Sequence, residues 1–430
     1  MSTEVHEPRP EAEAEDAAAE VAGTAAAELM AHSLGEYSRI WFRRVRSGES
    51  GALPVVVGLI AVIVYFQARN SLFLSAGNLV NLVIQGSIFI MLGMAEIFVL
   101  LLGEIDLSAG FNAAIGAMAT AWAAFSTPWW VAIIVGLVST SLVGAIQGTL
   151  ITRLRLPSFV VTLAGLLGLE GLLIVLVARS GHGPGGTIPI ANTILDDLTT
   201  GNLSPVAGWI VMVALVAIFA GSMILRDRRR RASNLAVPPA SITAFKIAIM
   251  AVAGVAVVIV GNIDRGTRVP LRGVPWAVFI VLGVLALWSA LMARTRFGRY
   301  VYAIGGNAEA ARRAGVNLIM IRTLAFTLCG LTAGIAGILY ASRLGSISTN
   351  VDGGQLVLFA VASAVIGGTR LYGGVGRMLH ALLGGIVIAV IANGLGLLGM
   401  SAAATDIVTA LVLLVAVTVD ALARRGRPGQ

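Results

Sequence analysis

Four carboxylates lie within or between long apolar runs: Glu96, Glu104, Asp106 and Glu170. A charge at the centre of a bilayer costs about 2.5–3.5 kcal/mol on insertion scales, so each needs a partner or a task. Glu104 and Asp106 stand in LLLGEIDLSAG, bracketed by Gly103 and Gly110. The stretch Asp106-Leu107-Ser108 has the form of a helix start, with Asp106 accepting from free amide groups. Two readings stand side by side. The stretch is a cap at a broken helix, or it is a polar break lining a solute path. Asn81, Gln85, Asn112, Gln147 and Asn393 supply amide groups at membrane depth. Amides suit the hydroxyls of a neutral polar solute, and they equally bond one helix to another. Glu96 and Glu170 read more simply as hydrogen-bonding groups between helices. The candidate path residues are Asn81, Gln85, Glu104, Asp106, Ser108, Asn112 and Asn393.

Other chemistries are excluded. Four scattered histidines (His6, His32, His182, His380) and the single Cys329 give no metal-ligand spacing. No nucleophile motif is present, so neither a catalytic residue nor a metal is expected. Lys246 is the only lysine and has no glycine loop before it, which rules out a Walker A phosphate cradle. The chain therefore binds no ATP by that device.

Two glycine-bearing stretches carry the remaining signal. In RTRFGRYVYAIGGNAEAARRAGVNLIMIR (294–322), Gly305 and Gly306 break the preceding structure and Asn307 is a good N-cap. Residues 308–314 then form a short helix, with Glu309 and Arg313 four apart and Gly315 able to close its end. With Arg312, these residues present a small-residue knob that fits a groove on another protein; the plainer reading is a solvated loop that holds topology. The second stretch, IGGTRLYGGVGR (366–377), has five glycines in twelve residues, a density that permits backbone turns closed to other residues.

The elements that position these residues are apolar helices. Of 430 residues, 57% are hydrophobic and 12% charged, against roughly 25% charged in soluble domains. Runs near twenty residues, each able to cross a core of about 30 Å, recur from Leu53 onward. About twelve spans are expected, at 52–68, 80–102, 107–126, 129–151, 157–178, 206–225, 242–261, 275–293, 323–341, 355–369, 378–398 and 404–422, with ten to twelve as the range. The tenth is short and glycine-bounded, as a broken or re-entrant helix would be. The fold class is all-α, a polytopic transmembrane bundle. Residues 1–50 hold ten acids and five arginines and few large apolar groups, reading as an acidic disordered tail with a basic pre-membrane segment. The transmembrane domain is 51–425, and 426–430 is a second tail. Elsewhere the arginines cluster at 153–155, 226–231, 294–322 and 424–427, all on one side of a twelve-span chain, which places both termini in the cytoplasm. Trp129, Trp130, Trp209 and Trp276 mark the opposite interface. Arg265, Arg268 and Arg272 conflict with this layout, offset in part by Asp264. A nucleic-acid partner would need a basic reading face that is absent from this pattern.

These motifs support a family resemblance. EIDLSAG (104–110) is similar to the EIDLSVG or GIDLSVG signature of the ribose/xylose-type permeases of bacterial ABC importers. RLPSFVVTLAG (155–165), FGRYVYAIGGNAEAARRAGV (297–316), AVIGGTRLYGGVGR (364–377) and ANGLGLLG (392–399) resemble further markers of that family, in the same order. Glu104, where ribose-type members usually carry glycine, leans toward the xylose type. Residues 226–274 look like an insertion with an extra span relative to shorter members. The resemblance implies a type II ABC importer-like permease in the bacterial inner membrane. Its partners would be a cassette ATPase that binds the ATP, a periplasmic sugar-binding protein, a second copy of the chain and a monosaccharide, with no cofactor of its own. It also implies that Gly305, Gly306, Asn307, Glu309, Arg312, Arg313 and Gly315 form the ATPase-coupling loop. The polar loop 179–204 would dock the binding protein. The rival is a proton-coupled secondary transporter of the major-facilitator type, with Glu170 or Glu96 as relay. That class wants a basic loop between spans two and three, where this chain has GEIDLSAG.

Overall fold

The structure is a computed structural model describing residues 53–181, 186–235, 237–266 and 270–425. The expected tails at 1–50 and 426–430, and His6, His32, His182 and Arg268, lie outside the described residues.

Each of the twelve apolar runs forms a helix. They are α1 (Leu53–Arg69), α2 (Ala76–Leu100), α3 (Ala109–Ala123), α4 (Trp129–Arg153), α5 (Ser158–Arg179), then α7 (Pro205–Ala232) and α8 (Ala240–Asn262). They continue with α9 (Trp276–Arg294), α12 (Leu318–Leu344), α13 (Gly353–Ile366), α14 (Met378–Leu397) and α15 (Ala402–Arg425). Three short helices connect them: α6 (Thr193–Thr200), α10 (Arg296–Gly306) and α11 (Ala308–Arg313). Two short antiparallel ribbons complete the described elements, β1 (Thr187–Pro189) with β4 (Ser346–Ser348), and β2 (Asn202–Leu203) with β3 (Val274–Pro275). Eight of the described helices are long and apolar enough to cross a membrane. α1, α3, α13 and the described apolar part of α15 are shorter, so the expected range of ten to twelve corresponds to eight full-length helices plus shorter ones.

The residues fall into two compact units. In one, α7 and α8 form a hairpin whose inner face is tied by Asp227, which accepts from the Thr243 hydroxyl at 2.7 Å and pairs with Arg226 at 3.2 Å. The outer faces of both helices expose large aliphatic side chains, as lipid-facing helices do.

The other unit, 55–203 with 263–414, holds the sequence motifs described above and is built around α2. Every residue of α2 from Gly86 onward is buried, because its surface is apolar all round except for Ser87 and Glu96. α4 and α14 run antiparallel to the helices they pack on, α12 and α2: Gly148 meets Thr323 while Gly144 meets Phe326, and Gly93 meets Ala381 while Gly86 meets Ala389. In lipid, close backbone approach supplies the dispersion contacts that hold helices together. Gly337 of α12 shows the limit, since a β-carbon there would overlap the Ala113 carbonyl oxygen of α3. Gly337→Val is expected to cost about 3 kcal/mol by forcing α3 away from α12. Loss of the monodisperse species at a lower temperature in detergent would measure it, and an unchanged transition would refute the packing argument.

The arginine-bearing and tryptophan-bearing ends separate in this unit. Arg153, the start of α12, α10 and α11 lie at one end, where Thr152 and Thr323 hydroxyls bond at 3.3 Å. At the other, Ala123 and Ala132 enclose Leu195 of α6, close to Trp129 and Trp130. The loop 179–204, expected to be an open polar segment, is partly folded onto the bundle. The Ser342 hydroxyl donates to the Asp196 carbonyl at 2.7 Å and accepts from the Thr199 amide at 3.1 Å. Two of the three arginines that conflict with the expected layout have partners here: Arg272 pairs with Asp264 at 3.1 Å and Arg265 donates to Asn202 Oδ1 and the Gly273 carbonyl, each at 3.1 Å.

Candidate functional site

The polar break begins where α2 stops. Gly103 takes a left-handed conformation (φ 76°), its amide donates to Leu100 at 2.9 Å, and the Glu104 amide donates to Val99 at 3.1 Å. This is a glycine-closed helix end, which satisfies carbonyls that would otherwise be buried without a donor. The chain then turns back inward. Asp106 comes to rest beside Cys329, whose thiol donates to Asp106 Oδ2 at 3.5 Å. Cys329 is the twelfth residue of α12, about 16 Å from its start at a rise of 1.5 Å per residue. α3 therefore starts deep in the bundle, with its fifteen residues reaching only toward the tryptophan end.

Asp106 does not cap α3 in the expected manner. Its Oδ1 accepts from the amide of Ser108 at 2.9 Å and from the hydroxyl of Ser108 at 2.6 Å, closing a two-residue turn. Ser108 occupies the cap position without a side-chain cap bond. The Ser108 oxygen accepts from Gln147 Nε2 of α4 at 2.8 Å, and Asn112 Nδ2 donates to the Thr140 carbonyl at 3.3 Å. Asp106, Ser108 and Asn112 are all 0% exposed. They are enclosed by the described residues of the single chain. Glu96, also fully buried, lies beside Asp106, with the Asp106 backbone amide as the polar group facing its carboxyl. The sequence reads Glu96 as an interhelical bonder, and no side-chain hydrogen bond from it to another helix is present among the described residues.

The other path candidates separate from this cluster. Asn393 pairs face to face with Asn78, the two amides exchanging bonds of 2.8 and 3.0 Å, so its polarity is consumed in joining α2 to α14. Asn81 is exposed and accepts from Arg343 at 3.3 Å, with half-buried Gln85 one turn on. Glu104 pairs with Arg322 of α12 at 3.2 Å. Glu170 is half-buried on α5. Sequence reasoning missed one exposed polar group altogether. Asp352 caps α13 by accepting from the Gln355 amide at 2.8 Å, and Gln355 Nε2 donates to Asp406 of α15. α13 starts against Gly110, at the first turn of α3, so this group borders the break. The signal was an Asp-Gly-Gly-Gln sequence opening a short apolar run.

The two glycine stretches meet at the arginine-bearing end. The Gly374 amide donates to the Leu101 carbonyl at 2.9 Å, and Gly305 lies so close to both that a β-carbon would overlap the Leu101 oxygen. Gly305 and Gly306 do not break the preceding structure as expected; they are the last residues of α10, and the break falls at Asn307, which is extended (φ −156°, ψ 101°). The absent side chains serve close approach rather than chain reversal. α10 itself was read as loop; Thr295 caps it by accepting from Gly298 at 3.3 Å.

α11 follows the sequence reading closely. Asn307 Oδ1 accepts from Ala310 at 2.9 Å. Gly315 (φ 83°) closes the other end, with Val316 donating to Ala311 and Gly315 to Arg312, both at 3.0 Å. Glu309 pairs with Arg313 at 3.1 Å as expected and also with Arg312 at 2.9 Å. The hydrogen bonds from Arg312 and Arg313 hold the Glu309 carboxyl below the usual carboxylate range. The helix thus presents a fixed, charged and solvent-facing surface only six residues long.

A buried bundle, a helix begun at mid-depth and a small doubly capped helix at one end define a multi-pass membrane permease. The chain belongs to the family described as "Branched-chain amino acid transport system / permease component", whose model matches residues 78–417. It is 33% identical over 390 residues to the xylose transport system permease protein XylH of Escherichia coli strain K12, covering 89% of this chain and 95% of that one. The Haemophilus influenzae XylH is 34% identical over 383 residues, covering 86% and 97%. The ribose import permease protein RbsC of Escherichia coli strain K12 is 29% identical over 384 residues, covering 89% and 96%. No solved structure matches the chain.

Proposed function

We propose that this chain is the membrane-spanning subunit of an ATP-binding cassette importer for a monosaccharide in the bacterial inner membrane, with xylose as the first sugar to test. The likeness to xylose and ribose permeases over most of both chains supports the sugar class. The observation that carries the mechanism is α11: a capped, charged knob on a chain that has no phosphate-binding loop of its own. Energy from ATP must enter through a protein contact, and α11 is the exposed element rigid enough to receive it. A cassette ATPase seated on α11 would put that end of the bundle in the cytoplasm. A second copy of the chain completes the path, because the single bundle encloses Asp106, Ser108 and Asn112.

The opposite end then receives sugar from a periplasmic binding protein on the folded 187–203 segment. The exposed polar groups there and at the break, Asn81, Asp352, Gln355 and Asp406, offer the donors and acceptors that sugar hydroxyls need. Closure of the ATPases favours whichever state of the bundle their contact with α11 fits better.

The test is uptake of radiolabelled D-xylose and D-ribose into proteoliposomes. Uptake that requires ATP and the binding protein and survives an uncoupler is expected. Accumulation by this chain alone on a proton gradient would overturn the proposal.

A further inference from the structure

α11 is tied at both of its ends to one short piece of backbone. On its N-terminal side the chain leaves Gly305 and Gly306, and Gly305 rests on the Leu101 carbonyl beside Gly374. On its C-terminal side the four residues 314–317 lead into α12, whose fifth residue, Arg322, reaches Glu104 Oε1 at 3.2 Å. Leu101 and Glu104 flank Gly103, the left-handed residue that stops α2. Glu104 is 9% exposed, and its second oxygen has no hydrogen-bond partner among the described residues. The Arg322 Nε is not aligned as a hydrogen bond either, so the pair is held by charge. Buried ion pairs contribute little net stability because desolvation opposes them, and their best-attested use is to fix one arrangement over its alternatives.

We infer that Glu104 and Arg322 are positioning residues which, together with the Gly305–Leu101–Gly374 junction, form a two-point strut that carries displacement of α11 into the 103–108 break. The inference rests on the proposed reading of α11 as the ATPase contact. At the glycine junction backbone lies on backbone, with no side chain to absorb movement, and close-packed interiors transmit strain. That junction alone would let residues 101–104 pivot. The Arg322–Glu104 pair supplies a second point of attachment, so the segment moves as a body. Asp106 lies two residues beyond Glu104 and holds Ser108 at the start of α3, so the movement ends where the half-length helix begins. Neither Glu104 nor Arg322 touches the solute in this role.

The chain carries its own reporter. Cys329 is the only cysteine, fully buried and bonded to Asp106. The experiment uses the full complex of this chain with its cassette ATPase in proteoliposomes. N-ethylmaleimide labelling of Cys329 is timed by mass spectrometry of this chain, with and without trapping by ATP and vanadate. In the wild type the labelling rate is expected to change about tenfold on trapping, within the range of ordinary allosteric couplings. Arg322→Gln should keep the ATPase bound yet reduce that change to about twofold or less. Arg322→Lys, and the exchange Glu104→Arg with Arg322→Glu, should restore most of it. A wild-type labelling rate indifferent to trapping would overturn the inference, as would an Arg322→Gln response equal to wild type. So would loss that neither the lysine variant nor the exchange repairs. If no ATPase copurifies with the wild-type chain, the reading of α11 itself fails, a result distinct from a bound ATPase that leaves Cys329 unmoved.

Discussion

Deleting residues 307–315 is expected to strip the cassette ATPase from the chain while leaving the bundle inserted in the membrane. α11 contributes one buried side chain, Ala311, to the packing around it. Its remaining side chains face solvent, so its removal exposes little apolar surface. The glycine junction at Gly305, Leu101 and Gly374 lies outside the deleted piece and stays intact. What disappears is the fixed arrangement of Glu309, Arg312 and Arg313. Pull-down of the ATPase should fall to background and ATP-driven uptake with it. Glu309→Lys is the milder form. It replaces two ion pairs with three neighbouring positive charges, and like charges at these helical spacings repel. It should weaken ATPase binding in the same direction. Normal recovery of ATPase with the deletion variant would move the contact elsewhere on the chain.

Asp106→Ala should impair transport far more than Glu170→Ala. Asp106 accepts three hydrogen bonds, two from Ser108 and one from Cys329, in a site with no exposure. A hydrogen bond is worth about 1 kcal/mol net, and removing one partner leaves buried donors unsatisfied at about 1–3 kcal/mol. The turn that starts α3 at mid-depth loses the group that closes it. A tenfold to hundredfold fall in sugar uptake is expected, on the order of 1.4–2.8 kcal/mol. Glu170 sits half-buried on α5 and organises no comparable turn, so its alanine variant should take up sugar at close to the wild-type rate. Equal rates for the two variants would remove the 103–110 break from the mechanism.

Several of these features were legible in the residues themselves. The apolar runs gave the helices, because a stretch near twenty residues without charge has one stable fate in lipid. The caps of α11 were legible too, since Asn307 and Gly315 act on amides and carbonyls within a few residues. The extent of α10 was not. Its arginines and glycines resembled loop; Val301 and Ile304 are buried and the Tyr302 hydroxyl donates to the distant Gly376 carbonyl at 2.8 Å, neither of which local sequence shows. Asn393 illustrates the same limit. An amide at membrane depth suits a sugar or another amide equally, and only the approach of Asn78, 315 positions away, decides for the amide.

The sequence alone determined that the chain is a helical membrane protein without a Walker A loop, broken near Asp106 and bearing a short capped helix at 308–313. These are local properties, fixed by hydropathy, by cap geometry and by which residue types are missing. Tertiary structure decided the partners of the buried carboxyls: Glu104 with Arg322, and Asp106 with Cys329 as well as with its neighbour Ser108. The pairings with Arg322 and Cys329 join residues far apart in the chain, and only the packing of one helix on another brings them within reach.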